Sequence, residues 1–81
     1  MKKTVLVRYF ALLREQRGLG EERVATTAAT AGELYRELQA LHPFSLPAER
    51  LRMAINDAFE PWAAPIRDGD AVVFLPPVAG G

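Results

Sequence analysis

One short segment near the end of the 81-residue sequence constrains the fold more than any other. Residues Ala71–Leu75 form an unbroken apolar run, and two prolines follow it directly. Such a run predicts a strand that is buried on both faces and lies in the middle of a sheet. Because the prolines lack the N–H donor that a central ladder needs, strand pairing should stop after residue 75.

The clearest helix signal lies in the middle of the chain. Thr30 and Glu33 have the spacing of a capping box, and leucines follow at the period of an amphipathic helix. The sequence therefore predicts the main helix over Ala31–Leu41, ending before Pro43.

Shorter segments complete the predicted order of elements. The other predicted elements are strands over residues 3–10, 22–25, 51–56 and Ala58–Phe59, a short helix over Ala11–Arg17, and one helical turn from Pro47. This order indicates an α+β fold in which a mixed sheet packs on one main helix, the β-grasp pattern. We expect residues 1–75 to form the domain and residues 76–81 to form a flexible tail.

The composition argues against several classes of function. Without Cys, the chain has no material for disulfides, thiolate metal sites or thiol nucleophiles. Ten basic and ten acidic side chains give a formal net charge of zero, which argues against binding to nucleic acid or to a membrane surface. A single domain of this size also has little room for an enclosed active site.

Catalytic and metal-binding side chains are scarce. His42 and Ser45 are the only His and Ser, so a serine or cysteine triad has no material. Asp68 and Asp70 flank Gly69 without the other oxygen ligands of a calcium loop, so we interpret them as turn residues. We predict no metal site.

The N-terminal sequence gives a prediction about location. Its start, Met1-Lys2-Lys3, resembles the basic n-region of a signal peptide, but Arg8 and Arg14 interrupt the apolar stretch before a signal core could form. No run of apolar residues has the length of a membrane span. We therefore expect a soluble protein in the cytoplasm.

The last six residues are the most informative about function. Pro76 and Pro77 favour an extended spacer, and six residues at about 3.1–3.3 Å each reach roughly 20 Å from the domain. Gly80 and Gly81 have no Cβ, so they would pass through a narrow channel and leave the terminal carboxylate open to attack. Frayed ends are the ordinary interpretation of terminal residues. The stiff spacer favours a functional tail, with the Gly81 carboxylate as the reacting group.

With these residues in view, the sequence resembles the small subunit of molybdopterin synthase, a family of ubiquitin-like sulfur carriers. The similarity extends over essentially the whole chain, at residues 9–15, 54–56, 68–70 and 74–81. The ending Pro-Pro-Val-Ala-Gly-Gly is its most specific part. Leu75 is a departure, because relatives often carry a second Phe there.

The resemblance implies a cycle of activation and sulfur transfer. A ubiquitin-activating-like adenylyltransferase would use ATP and magnesium to adenylate Gly81, and a sulfur donor would convert the adenylate to a thiocarboxylate. The tail would then enter the large synthase subunit and give its sulfur to cyclic pyranopterin monophosphate, in molybdenum cofactor biosynthesis. Catalytic residues would lie on the large subunit, so this chain is expected to be a non-catalytic part of a heterotetramer, with no bound cofactor.

Apolar residues beside the tail are the expected partner contacts. Phe59, together with Phe74 or Leu75, should form an exposed patch that docks on the large subunit. The full set of expected partner-binding residues is Phe59, Phe74, Leu75, Pro76, Pro77, Val78 and Ala79.

Three alternatives stay open at this point. The first is a sulfur carrier for thiamine, cysteine or tRNA thiolation, with the same chemistry at Gly81. The second is a ubiquitin-like modifier that forms isopeptide bonds through Gly81. The third is an interaction module whose tail is inert.

Overall fold

The computed structural model describes residues 2–77 and confirms the predicted α+β fold. The elements are β1 (Lys3–Tyr9), α1 (Ala11–Arg17), β2 (Glu21–Thr26), α2 (Ala31–Leu41), a 3-10 turn (Ala48–Arg50), β3 (Arg52–Ile55), β4 (Ala58–Phe59) and β5 (Ala71–Leu75). Their strands form one five-stranded sheet in the order β2-β1-β5-β3-β4. Strand β5 lies at the centre, as predicted, parallel to β1 and antiparallel to β3.

Helix α2 covers one face of this sheet. Its N-terminus has the predicted cap, because the Thr30 hydroxyl accepts a hydrogen bond from the Glu33 N–H at 3.2 Å. The buried side of the helix consists of Ala31, Leu34, Tyr35 and Leu38. Below it, strands β1, β3 and β5 contribute buried side chains to the core: Val5, Val7, Tyr9, Met53, Ile55, Val72 and Phe74.

The sheet face on the side away from α2, which we call the open face, differs from the prediction for β5. Val72 and Phe74 are buried, whereas Ala71, Val73 and Leu75 alternate with them and stay partly exposed. The prediction that β5 is buried on both faces was therefore wrong. This small domain has one main helix, and that helix covers only one face of the sheet. The apolar run in β5 reflects its central position in the sheet.

A polar network fixes helix α1 against β2. Tyr9 donates a hydrogen bond to Glu22 Oε2 at 2.7 Å, and Arg17 donates one bond to each Glu22 oxygen at 2.8 Å. The hydrogen bond from Arg17 is the main cause that lowers the pKa of Glu22, while burial raises the pKa of Tyr9. This network holds the chain around Phe10, next to the end of β5.

Within residues 2–77, no helix combines the length and the apolar character that crossing a membrane requires.

Candidate functional site

The predicted tail follows β5, the central strand of the sheet. At the end of β5, Phe74 is in register with Tyr9 of β1 and with Met53 of β3, and Leu75 is in register with Arg52. Strand pairing then stops at Pro76 and Pro77, as predicted. The position of the tail root is therefore held from both sides.

The predicted reacting end lies beyond this root. Val78, Ala79, Gly80 and Gly81 are outside the described residues, so their predicted roles stay predictions. Pro76 is partly buried and Pro77 is exposed, and both line a groove of about 550 Å³. Phe59, Leu75 and residues 49–52 form the rest of its lining.

Phe59 is the most exposed aromatic side chain beside this groove, with 64% of its surface accessible. It lies in the two-residue edge strand β4, in register with Ala54, which places it on the open face. The guanidinium carbon of Arg52 lies 5.6 Å from the ring centroid. Such a cation–π contact at an exposed site stabilises the pair by about 0.5–1 kcal/mol and restricts both side chains.

Phe74 has to be removed from the expected patch. Its side chain is completely buried, with its ring centroid 5.1 Å from that of Tyr35 and 5.9 Å from that of Trp62. Side chains alternate along a strand, so Leu75 points to the open face where Phe74 points to the core. Leu75, and not Phe74, therefore belongs to the exposed patch.

Phe10 is a candidate residue that the sequence reasoning missed. It follows Tyr9 in extended backbone and is 44% exposed. Because Tyr9 and Phe74 are in register, Phe10 is level with Leu75 on the open face. Its alternation with the buried Tyr9 was visible in the sequence and could have indicated it. We call Phe10, Phe59 and Leu75 the tail-root patch.

The strands around this patch carry a positive surface. The register of the strands places Arg8, Arg23 and Arg52 on the open face together with Glu21. Glu49 and Arg50 line the groove beside Arg52, and Asp68 lies near Arg23, so the basic residues outnumber the acidic ones by a small margin. The Arg8–Glu21 pair is separated by 3.9 Å and both side chains are about half exposed, so its contribution to stability is small. A partner surface with an apolar centre and acidic margins would complement this face.

The two aspartates near β5 act as turn residues, as predicted. Asp68 Oδ1 accepts a hydrogen bond from the Thr4 N–H, and Asp70 Oδ2 accepts one from the Arg67 N–H, both at 2.8 Å. Gly69 between them has a φ of +88°, which glycine adopts readily. Among residues 2–77, no three His, Asp or Glu side chains are grouped as a metal site would require.

Comparison with known proteins shows which family this chain belongs to. Residues 7–81 match the model of the ThiS family. The chain belongs to the ThiS family. It is 35% identical over 80 residues to the molybdopterin synthase sulfur carrier subunit of Mycobacterium tuberculosis, an alignment covering 95% of this chain and 96% of that protein. The Escherichia coli protein of the same name is 32% identical over 80 residues, covering 95% of this chain and 99% of that protein.

Solved structures show the same fold for this ThiS-family chain. Ubiquitin from Caldiarchaeum subterraneum, 16% identical, superposes with a TM-score of 0.65 over 100% of both chains, which shows the ubiquitin-like β-grasp fold. SAMP1 from Haloferax volcanii is 25% identical, with a TM-score of 0.80 over 96% of this chain and 99% of that chain.

A third solved structure contains a partner. It is a complex of subunits 1 and 2 of the molybdopterin-converting factor from Helicobacter pylori. One of its chains is 30% identical to this ThiS-family chain, with a TM-score of 0.65, covering 96% of this chain and 99% of that chain.

Proposed function

We propose that this chain is the sulfur carrier subunit of a molybdopterin synthase, with the carboxylate of Gly81 as the group that carries sulfur. The observation that carries the proposal is the match of the ThiS model through residue 81, together with two relatives named as this subunit over nearly their whole length. The central position of β5 supports it, because this strand presents the tail from a firmly held root.

The proposed chemistry begins with activation, since a carboxylate is a poor electrophile. An activating adenylyltransferase uses ATP and magnesium to join AMP to the Gly81 carboxylate, releasing pyrophosphate. With hydrosulfide as the simplest sulfur donor, its sulfur attacks the carbonyl carbon and a C–S bond forms. The C–O bond to AMP breaks, AMP leaves with the electron pair, and the S–H proton is lost to water. The resulting thiocarboxylate is a sulfur nucleophile for cyclic pyranopterin monophosphate.

The proposed partner supplies the catalytic side chains. The Helicobacter pylori complex supports a large-subunit partner for this chain. We propose a non-catalytic role for this chain, a heterotetramer of two small and two large subunits, and assembly in the cytoplasm. The tail-root patch and the positive margin beside it would form the contact with the large subunit.

The proposal is tested by the mass of the protein after it has been loaded with sulfur. Incubation of the untagged chain with ATP, magnesium, its activating enzyme and a sulfur source should replace one terminal oxygen by sulfur. Intact mass and the mass of the C-terminal peptide will show where the sulfur is added. Sulfur attached anywhere other than residue 81, or no added sulfur with several cognate enzymes, would rule out the carrier function.

Docking through the tail-root patch gives a second prediction. Phe59→Asp and Leu75→Asp should each weaken binding to the large subunit by about tenfold or more, because a buried interface aromatic or aliphatic anchor is replaced by a charge. Titration calorimetry measures the dissociation constants, and thermal melts of the free variants should stay close to that of the unmodified chain.

Leu41→Asp is the matched control for these two variants. Leu41 is 74% exposed, but it lies at the end of α2, and this helix packs on the sheet face opposite the open face. Binding of Leu41→Asp should equal that of the unmodified chain. Equal losses in all three variants would show a general effect of charge, and unfolding of Phe59→Asp would make Phe59 a core residue.

A protein-modifier function is the second candidate. The observation that favours it is the similarity to SAMP1, whose name stands for small archaeal modifier protein 1. A modifier would give a ladder of conjugates linked through Gly81 in extracts of its host. A carrier would instead appear as free chain and thiocarboxylate.

A further inference from the structure

The basic side chains of this protein are unevenly divided between the two residue types. Of ten Lys and Arg residues, the lysines are Lys2 and Lys3, and the others are arginines. The difference matters chemically: a lysine amine can lose its proton and attack an acyl carbon, whereas an arginine guanidinium stays protonated. The two side-chain amines of the chain are therefore adjacent in the sequence, at Lys2 and Lys3.

Lys3 is engaged in the fold. Its Nζ donates hydrogen bonds to the main-chain carbonyls of Ala28 at 2.8 Å and Ile66 at 3.1 Å. An attacking amine must be neutral and must turn its lone pair toward the acyl carbon, so Lys3 would have to leave both carbonyls unpaired. Lys2 is exposed.

Both lysines lie at the end of the sheet opposite the tail root. Strands β1 and β5 are parallel, and Gly69 donates a hydrogen bond to the Thr4 carbonyl at 2.8 Å, so the start of β1 is level with the turn before β5. Phe10 is level with Leu75, and the seven residues from Lys3 to Phe10 span about 23 Å. A tail of about 20 Å would have to double back along the sheet, almost fully extended, to approach Lys3.

Arginines occupy the positions from which a lysine would reach the tail easily. Arg50 and Arg52 line the groove at the tail root together with Pro76 and Pro77. Arg52 is in register with Leu75, and Arg50 lies just before β3 in the lining of the same groove. A lysine at either position would lie beside Pro77, only four residues before Gly81, so the short connecting chain would give its amine a high effective concentration at the acyl group.

We propose that this arrangement protects the activated acyl group of Gly81 from aminolysis by the chain's own side chains. This inference rests on the proposed function, because it requires that Gly81 is activated. In the reaction that is avoided, an amine nitrogen attacks the carbonyl carbon and a C–N bond forms. The bond to the leaving group breaks, the leaving group departs with the electron pair, and the ammonium loses a proton to water. The amide has no free carboxylate that could be activated again, so each such event would permanently inactivate one sulfur carrier.

The test uses the Gly81 thioester of a small thiol, which needs no activating enzyme. Three full-length chains are compared at mildly alkaline pH: the unmodified chain, Arg50→Lys, and the control Arg67→Lys at the opposite end of the sheet. The thioester of Arg50→Lys should close to an internal amide, with an amide-to-acid ratio at least about tenfold above the other two. Intact mass separates cyclic amide, dimer and hydrolysed acid, and peptide fragments locate the acceptor amine.

Two results would overturn the inference. One is an unmodified chain that forms amide through any of its own amines as fast as Arg50→Lys does. The other is an Arg50→Lys chain that only hydrolyses, which would show that the choice of arginine at this place has no protective effect. Failure of enzymatic charging with normal thioester behaviour would instead contradict the proposed function and leave the chemical result intact.

Discussion

Deletion of Gly81, or extension of the chain beyond it by a tag, should abolish sulfur transfer while the domain stays folded. The two changes act for different reasons. Deletion shortens the reach by about 3.3 Å, and a misplacement of about 1 Å can already cost a hundredfold in rate. A tag keeps the length but converts the reacting carboxylate to an amide. Single-turnover formation of molybdopterin with the large subunit measures the loss.

The control for this prediction is the same tag at the other end of the chain. Strand β1 begins at the end of the sheet opposite the tail root, so an N-terminal tag should leave transfer near its normal rate. Thermal melts of the deletion should differ from that of the full chain by no more than about 0.5 kcal/mol in the free energy of unfolding. Full activity of the deletion or of the C-terminally tagged protein would remove Gly81 from the mechanism.

Local signals were sufficient for the main elements of the fold. Helix α2 has the predicted bounds because its start is encoded by the Thr30 cap and its end precedes Pro43. The central place of β5 followed from an apolar run that ends in prolines, and this signal is also local. Strand β2 was predicted two residues too short, since half of its side chains face solvent and give weak periodicity.

Tertiary contacts explain what the sequence did not indicate. The network of Tyr9, Arg17 and Glu22 joins β1, the end of α1 and β2, and no spacing rule relates these three residues. The choice between Phe74 and Leu75 depended on which face of β5 lies against α2. Because both faces of that strand are apolar in sequence, alternation alone could not decide it.

The two parts of the candidate site differ in what the sequence can indicate. The tail was predicted from its proline and glycine residues, because conformational freedom is a property of each residue type, and its role stays a prediction. The recognition surface beside it requires the register of four strands, which brings Phe10, Phe59 and Leu75 to one face. The alternation of Phe10 with Tyr9 could have indicated that Phe10 is exposed, but only the register shows that it lies beside Leu75.

Replacement of Phe74 by Ala should be among the most destabilising single changes in the described domain, at about 3–5 kcal/mol. The ring is fully buried in the central strand, between Tyr35 of the main helix and the stacked ring of Trp62. Removing it leaves a cavity that two large aromatic neighbours cannot close without moving the helix. For a domain of this size, each kcal/mol lowers the melting temperature by about 4–8 °C, so the loss should be tens of degrees. Urea denaturation followed by circular dichroism measures it.

Leu75→Ala is the matched control, one residue further along the same strand. Its side chain is partly exposed on the open face, so its removal should cost less than about 1.5 kcal/mol and shift the urea midpoint only slightly. The two variants should therefore separate stability from recognition: Phe74→Ala loses stability, whereas Leu75→Ala mainly loses affinity for the large subunit. If Leu75→Ala were as destabilising as Phe74→Ala, Leu75 would be a core residue, and the tail-root patch would have to be drawn without it.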